Sequence, residues 1–199
     1  MTLTTVSAPE RSSEDRVDAL LSDIQSRLER LEQDRQQPAP DADALNLVVF
    51  EAHRDRLLSA FVMATGAAAC GMKVKMFFTF WATSALRSES AKRRSKTFVE
   101  RAFGWMLPRS LGRTRLSQLD MGGMGRFMMQ REMKKKNIAD LPQLLETAAE
   151  LGVAIQVCEM SMRLMGIHES ELIDYPGLKF CGVAQLVDDA ANANTTLFI

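Results

Sequence analysis

From Leu45 onward the sequence alternates short apolar runs with helix-forming segments, and this alternation constrains the fold more than any other feature. Five runs have strand character, at residues 45–50, 74–80, 153–157, 178–180 and 195–199. Helices are predicted between them, at residues 55–69, 141–151, 158–165 and 183–191, with a helical turn at 168–173. Strands that alternate with helices require right-handed crossovers and a sheet covered on both faces. The sequence therefore predicts an α/β fold, with a parallel open sheet of about five strands flanked by helices.

Polar and glycine residues mark the predicted ends of these helices. The side chain of Asp55 is expected to cap the first helix by accepting a hydrogen bond from its free backbone N–H groups. Glycines end helices because they adopt the left-handed conformation readily. We expect this role at Gly71, Gly152 and Gly166.

The composition supports a globular domain and gives no global basic field. Hydrophobic residues make up 46% of the 199 residues, which is enough to bury a sizeable core. Lysine plus arginine number 25 and aspartate plus glutamate also number 25, so the chain has no global basic field. We therefore expect no nucleic-acid partner.

The cysteines and the amino terminus indicate the compartment. The chain has three cysteines, Cys70, Cys158 and Cys181. An odd number without a CxxC pair is not typical of a secreted disulfide framework. The amino terminus lacks the basic and apolar regions of a signal peptide. No apolar run reaches the roughly 18 residues that a membrane-spanning helix needs. We expect no transmembrane segment and a cytoplasmic location.

Residues 1–40 are predicted to be an appendage, and the α/β domain is assigned to residues 41–199. Residues 1–16 are polar and expected to be disordered. The next segment has the apolar spacing of a coiled-coil seam, at Val17, Leu21, Ile24, Leu28 and Leu31. This short helix either joins subunits or packs against its own domain. Residues 36–43 are predicted to be a linker, since Pro38 and Pro40 cannot continue a helix.

Cys158 directly follows a predicted strand and directly precedes a predicted helix. In an open α/β sheet this junction lies at the carboxyl end of a strand, where ligands usually bind. The free N–H groups and the dipole at the start of the helix favour a thiolate. The position therefore favours a reactive cysteine, and the alternative is a small buried hydrophobic residue.

Residues 81–137 do not fit the alternation of strands and helices. They include a basic run at 92–96, a glycine- and methionine-rich stretch at 121–125 and three lysines at 134–136. Segments this long within compact domains are commonly lids or binding elements. We expect a mostly helical insertion that covers the carboxyl edge of the sheet.

Several unusual strings occur in one order along the chain. They are MFFTFW at 76–81, FGWMLP at 103–108, MGGMG at 121–125, MKKKN at 133–137, CEMSM at 158–162, MGI at 165–167 and GVA at 182–184. With them, residues 45–199 resemble the DsrE/DsrF/DsrH-like sulfur-relay proteins, and in particular the branch with a long helical insertion. The first 44 residues lie outside the resemblance.

The resemblance implies a sulfur carrier or sulfurtransferase that holds sulfane sulfur as a cysteine persulfide and passes it to a protein acceptor. Cys158 matches the reactive position of the family and is the predicted catalytic residue. TusA-type or rhodanese-type sulfur-carrier proteins are the implied partners, and a homo-oligomer is the implied assembly. No cofactor is implied.

Ser161 and Cys181 are predicted to support Cys158. The hydroxyl of Ser161 can donate a hydrogen bond to the sulfur, whereas Glu159 is expected to point away because a nearby carboxylate would raise the thiol pKa. Cys181 lies within disulfide reach of Cys158 if the third and fourth strands are neighbours. It is either a resolving thiol or a core cysteine, and Cys70 is expected to be structural.

The stretch at 121–125 supplies further supporting candidates, Gly122, Gly123 and Met124. It is not a phosphate loop, because no Lys-Ser/Thr follows in register. Its glycines suit close approach of backbone to backbone or to a thiol. The methionines form either an adaptable hydrophobic face or a soft wall around a persulfide. We expect the insertion to form a lid that brings Met121–Met129 near the sulfur of Cys158.

Other functions remain open or are disfavoured by the sequence. The main alternative is a non-catalytic oligomeric assembly or docking module, in which the coiled coil and the insertion bind partners. A nucleotide- or flavin-binding role lacks a phosphate-binding motif. With two histidines and no paired cysteines, we predict no metal site.

Overall fold

The computed structural model describes residues 13–36, 41–89, 107–108 and 110–199. The chain divides into two units, residues 1–39 and residues 40–199. In the first unit, helix α1 extends over Ser13–Gln36. The predicted amino-terminal helix is therefore present, but it begins before Val17 and includes residues 13–16, which were expected to be disordered. Residues 1–12 and the basic run at 92–96 lie outside the described residues.

The second unit contains the predicted parallel sheet. Its strands are β1 Asp41–Val49, β2 Lys73–Phe78, β3 Ala154–Cys158, β4 Lys179–Cys181 and β5 Ala193–Phe198. They lie in the order β4-β3-β2-β1-β5, and each neighbouring pair is parallel. The fold prediction is confirmed. Strand β1 begins at Asp41, however, so the last residues of the predicted linker are part of the sheet.

Six helices of this unit are described. They are α2 Arg54–Ala69, α3 Trp81–Ala85, α4 Met124–Lys135, α5 Leu141–Glu150, α6 Glu159–Met165 and α7 Val183–Asn192. Gly152 and Gly166 follow α5 and α6 with φ angles of 73° and 62°, in the left-handed region that glycine adopts readily. Asp140 caps α5, and its side chain accepts a hydrogen bond from the Gln143 N–H at 3.1 Å.

Successive residues of each strand point to opposite faces, and the two faces differ in character. The face we call the apolar face carries strand residues of the main core: Leu45, Leu47, Val49, Val74, Met76, Phe78, Val153, Ile155 and Val157. Helices α2 and α5 cover it through side chains such as Phe61 and Leu144. The face we call the mixed face carries Asn46, Val48, Lys75, Phe77, Gln156 and Cys158. Leu186 of α7 packs there.

The described part of the insertion attaches to the amino end of α2. The buried side chain of Arg54 donates a hydrogen bond from Nη1 to the Gly112 carbonyl oxygen at 3.2 Å. The side chain of Asp55 accepts a hydrogen bond from the Ser117 N–H at 2.8 Å. Asp55 was expected to cap α2, but α2 has no side-chain cap, because this carboxylate instead holds the insertion.

Candidate functional site

Cys158 is the last residue of β3, and α6 begins at the next residue. Its side chain is 0% exposed and packs with Val48 and Phe77 on the mixed face. The short apolar strand brings the thiol to the carboxyl edge of the sheet, and the change to helix at Glu159 turns N–H groups toward it. The thiol is therefore a buried group at the edge where α/β proteins carry out their chemistry.

Two hydroxyl side chains from different elements meet beside Cys158. Ser161 of α6 is fully buried, and its Oγ accepts a hydrogen bond from the Phe80 N–H at 2.8 Å. The Thr79 hydroxyl lies 3.0 Å from the same Oγ. The end of β2 and the start of α6 are thus joined through one serine. This arrangement fixes both hydroxyl groups next to the sulfur.

These groups set the pKa of the Cys158 thiol. Burial acts to raise this pKa, because a thiolate loses its hydration inside the protein. Hydrogen bonds from the Ser161 side chain and backbone, the Thr79 side chain and the Met160 backbone act in the opposite direction. Together they outweigh burial, and the pKa lies below its ordinary value of 9.0. The site therefore favours the nucleophilic form of the sulfur.

The backbone at Phe80 is strained. Its φ angle of 44° with a ψ angle of −127° lies in a region that residues with a side chain rarely adopt. This conformation directs its N–H to the Ser161 Oγ. A strained backbone persists only where surrounding contacts stabilise it. Here the strained residue positions the Ser161 hydroxyl beside the Cys158 thiol.

Cys181 is the residue of β4 directly opposite Cys158. The two Cα atoms are register partners, and the partly buried Cys181 packs against the same cluster as Cys158. Burial raises the pKa of the Cys181 thiol first, and the negative charges of Asp189, Cys158 and Glu159 raise it further. The two neighbouring thiols therefore differ, since the pKa is lowered at Cys158 and raised at Cys181. All three cysteines are free thiols.

A charged network lies on the same face, toward α7. Asp189 is 5% exposed and accepts hydrogen bonds from Lys75 Nζ at 2.6 Å and Gln156 Nε2 at 2.7 Å. Gln185 Nε2 donates a third hydrogen bond at 3.1 Å. Burial acts to raise the pKa of Asp189, but these hydrogen bonds outweigh it and lower the pKa. A carboxylate is thus kept ionised near the two cysteines.

The structure brings some predicted site residues together and leaves others apart. Ser161 and Cys181 lie next to Cys158, and Glu159 is exposed and paired with Arg163 at 3.7 Å, pointing away as expected. Cys70 is exposed at the end of α2. A structural or supporting role for each of these residues stays a prediction.

The glycine- and methionine-rich stretch directly precedes helix α4 and includes its first residues. Gly122 and Gly123 have φ angles of 69° and 104° and precede α4, which begins at the exposed Met124. Met129 packs against the main core, whereas Cys158 belongs to the cluster of the mixed face. The predicted methionine lid over the sulfur stays a prediction. The predicted close backbone approach does occur, because a Cβ at Gly125 would overlap the Leu119 carbonyl oxygen.

Sequence reasoning did not single out Thr79, Phe80 or Asp189. Thr79 and Phe80 are the last two residues of the second predicted strand, at the same sheet edge as Cys158, which is a signal that was available. Asp189 offered only a weaker one, because its helix also contains Asp188 and nothing in the sequence separates the two. Their roles depend on contacts with residues far away in the sequence.

Within the described ranges, no helix is long and apolar enough to cross a membrane. Over the same residues, no group of three or more histidine, cysteine, aspartate or glutamate side chains could hold a metal ion.

Comparisons with known proteins agree on one family. The model of the DsrE/DsrF/DrsH-like family matches residues 41–198. The chain is 40% identical over 153 residues to the uncharacterized protein YrkE of Bacillus subtilis, which covers 77% of this chain and 94% of that protein. It is 27% identical over 161 residues to the sulfur carrier protein DsrE2 of Allochromatium vinosum, which covers 78% of this chain and 97% of that protein.

Among solved structures, the chain is similar to the ychN protein from E. coli, with a TM-score of 0.48 and 10% identity. The similarity covers 79% of this chain and 99% of that chain. The sequence matches carry the assignment, because the family model extends over nearly the whole α/β unit. The chain belongs to the DsrE/DsrF/DrsH-like family.

Proposed function

We propose that this protein is a sulfur carrier or sulfurtransferase that holds sulfane sulfur as a persulfide on Cys158. The observation that carries the proposal is the position of this thiol at the carboxyl end of β3, among donors that lower its pKa. The similarity to a protein named as a sulfur carrier supports the same class of function. A persulfide anion needs the same hydrogen-bond donors as a thiolate, so one site suits both states.

Loading is a nucleophilic exchange in which atoms and electrons balance. The Cys158 thiolate attacks the outer sulfur of a donor persulfide, a new S–S bond forms, and the donor S–S bond breaks. The donor leaves as a thiolate, and Cys158 now carries the outer sulfur. Delivery is the same exchange in reverse, with the thiolate of an acceptor protein as the nucleophile. Neither step needs an oxidant, a metal or a cofactor.

The burial of Cys158 places a requirement on both steps. Its side chain is 0% exposed, so a partner thiol reaches it only after a local movement of the elements around it. The short strand β4 and the short helix α6 are the elements next to the sulfur. In our proposal the partners are TusA-type or rhodanese-type sulfur-carrier proteins, and the burial protects the persulfide from free thiols between encounters.

Mass spectrometry of the intact protein tests the proposal. Incubation with polysulfide should add about 32 Da, the mass of one sulfur, and the adduct should map to Cys158. Cys158→Ser should abolish the adduct, whereas Cys70→Ser, which changes an exposed cysteine at the end of α2, should leave it unchanged. An adduct that maps mainly to Cys70 would contradict the assignment.

The second candidate is a non-catalytic oligomeric assembly or docking module. The observation that favours it is the exposed apolar seam of α1, which includes Val17, Leu21, Ile24 and Leu28. A seam of this kind also suits a homo-oligomeric carrier, so the thiol decides between the two candidates. Transfer of sulfur from polysulfide to Cys158 supports the carrier, and a Cys158 that takes up no sulfur supports the module. Removal of residues 1–40 should lower the oligomer size in sedimentation if α1 joins subunits.

A further inference from the structure

Cys158 and Cys181 lie side by side at the ends of β3 and β4. They are register partners on parallel strands, which places their Cα atoms about 4.8 Å apart and their side chains on the same face of the sheet. Disulfides join residues whose Cα atoms are roughly 4.4–6.8 Å apart. The backbone therefore already holds the two cysteines at a separation that a disulfide can bridge.

The surroundings of Cys181 allow the small movement that bond formation requires. Strand β4 is an outer strand of the sheet and has three residues. Cys181 is its last residue, partly exposed, and α7 begins two positions later. Cys158 is by contrast fixed among hydrogen-bond donors. The mobile partner in a bond between them is therefore Cys181.

We propose that Cys158 and Cys181 form a dithiol–disulfide pair in which Cys181 releases a sulfur atom held on Cys158. The release step rests on the proposed function. The Cys181 thiol loses its proton to solvent, and its thiolate attacks the Sγ atom of the Cys158 persulfide. The bond between the two cysteine sulfurs forms as the bond to the outer sulfur breaks, and the outer sulfur takes up a proton from solvent and leaves as hydrosulfide.

This step is balanced without an external oxidant. The two cysteine sulfurs are oxidised to a disulfide, and the sulfane sulfur is reduced to hydrosulfide. A small dithiol then reduces the Cys158–Cys181 disulfide by ordinary exchange and restores both thiols. Cys181 is thus a resolving residue, which limits how long an undelivered sulfur stays on the protein.

The charges around Cys181 make the release slow at neutral pH. Asp189 of α7, Glu159 of α6 and the thiolate of Cys158 are the negative groups near it, and Lys179 of β4 is the positive one. Burial and these negative charges keep Cys181 protonated, and a protonated thiol is a poor nucleophile. The release rate should therefore rise with pH as Cys181 ionises.

Treatment of the full chain with diamide tests the pair without any loaded sulfur. Diamide should remove about 2 Da from the monomer as two thiols become a disulfide. Trypsin separates the three cysteines onto peptides 57–73, 137–163 and 180–199, so a link between the second and third peptides identifies the bond. Cys181→Ser should lose this link, and Cys70→Ser should keep it.

The release step is then measured on protein loaded with polysulfide and freed of excess reagent. Wild-type protein should lose its adduct about tenfold faster than Cys181→Ser at mildly alkaline pH, and hydrosulfide should appear as the disulfide forms. Equal rates of loss would overturn the release step.

The two proposals fail in different ways. If diamide leaves Cys158 and Cys181 alkylatable in the folded monomer, or links either of them to Cys70, the pair is overturned even when loading succeeds. If diamide links the two cysteines but polysulfide adds no sulfur even to Cys181→Ser, which cannot release it, the proposed function is overturned, the release step fails with it, and the pair stands as a redox-active dithiol.

Discussion

The two faces of the sheet bury different kinds of side chain. On the apolar face, Leu47, Met76 and Ile155 are each 0% exposed and pack beneath α2 and α5. On the mixed face, Lys75 and Gln156 bind a buried carboxylate of α7, and Cys158 lies at the end of the same row. The main hydrophobic core and the candidate thiol thus lie on opposite faces of one sheet.

In our proposal, this division lets a small domain hold a reactive thiol. Hydrophobic burial supplies most of the favourable free energy of folding, and the apolar face provides it. The mixed face can then carry charged and hydrogen-bonding groups, whose net contribution to stability is smaller. Substitutions on the two faces should therefore have different effects. Those on the apolar face should mainly change the free energy of unfolding, and those beside Cys158 should mainly change the pKa of the thiol.

The largest expected effect is on the apolar face. Ile155→Ala removes a fully buried side chain next to α2 and α5, and should lower the free energy of unfolding by about 2–5 kcal/mol. Urea denaturation measures this loss, and Leu164→Ala, at a side chain that is 58% exposed, serves as the control. The folded fraction of Ile155→Ala should still load sulfur on Cys158. Loss of loading in fully folded protein would show that the two faces are coupled.

A smaller effect on stability is expected on the mixed face, at Asp189. Asp189→Asn removes a buried carboxylate that three side chains bind, and should cost about 1–3 kcal/mol at neutral pH. Because the pKa of Asp189 is lowered from 3.8, its ionised form stabilises the folded state above that pH. This stability is lost as the pH falls through the lower pKa of the folded state.

The difference between wild type and Asp189→Asn in urea denaturation should therefore shrink as the pH falls below about 4. Asp188→Asn is the matched control, since Asp188 is the exposed neighbour on the same helix. A destabilisation by Asp189→Asn that does not change with pH would show that the carboxylate charge is not what stabilises the mixed face.

Local patterns in the sequence were sufficient to predict the fold. Apolar runs, and the glycines after α5 and α6, are patterns that extend over only a few residues. They predicted all five segments as strands, as observed. Sequence reasoning did not single out the capping box at Asp140, although its signal, an acidic residue three positions before Gln143, is local. No local pattern indicates the start of β1 at Asp41, because pairing with Ala193 creates it.

The candidate site was predictable only in part. Cys158 was found because its signal, a strand that ends where a helix begins, is local. The bond between Phe80 and Ser161 joins residues 81 positions apart, and no local pattern indicates it. Asp55 shows the same limit, since its sequence context favours a helix cap, while its observed partner is Ser117. Methionines likewise indicate burial but not which face they pack against, and Met129 lies against the main core.

The smallest expected effects concern the pKa of Cys158 and leave the apolar face unchanged. Ser161→Ala removes the hydroxyl that donates a hydrogen bond to the sulfur and accepts one from the Phe80 N–H. Thr79→Val removes the second hydroxyl and keeps a side chain of similar shape. Hydrogen bonds to a charged group contribute about 1.5–3 kcal/mol, so each loss should raise the pKa of Cys158. The thiolate that remains is a stronger nucleophile, which offsets part of the loss in rate.

We therefore expect alkylation of Cys158 by iodoacetamide at neutral pH to slow about 3- to 10-fold in Ser161→Ala, and by about half that factor in Thr79→Val. The two rates should approach that of the wild type at high pH, where Cys158 is ionised in every variant. This convergence distinguishes a change in pKa from a change in access, since a blocked path would slow the reaction at every pH. Rates that stay separated at high pH would mean that these hydroxyl groups control entry to the site rather than the charge of the sulfur.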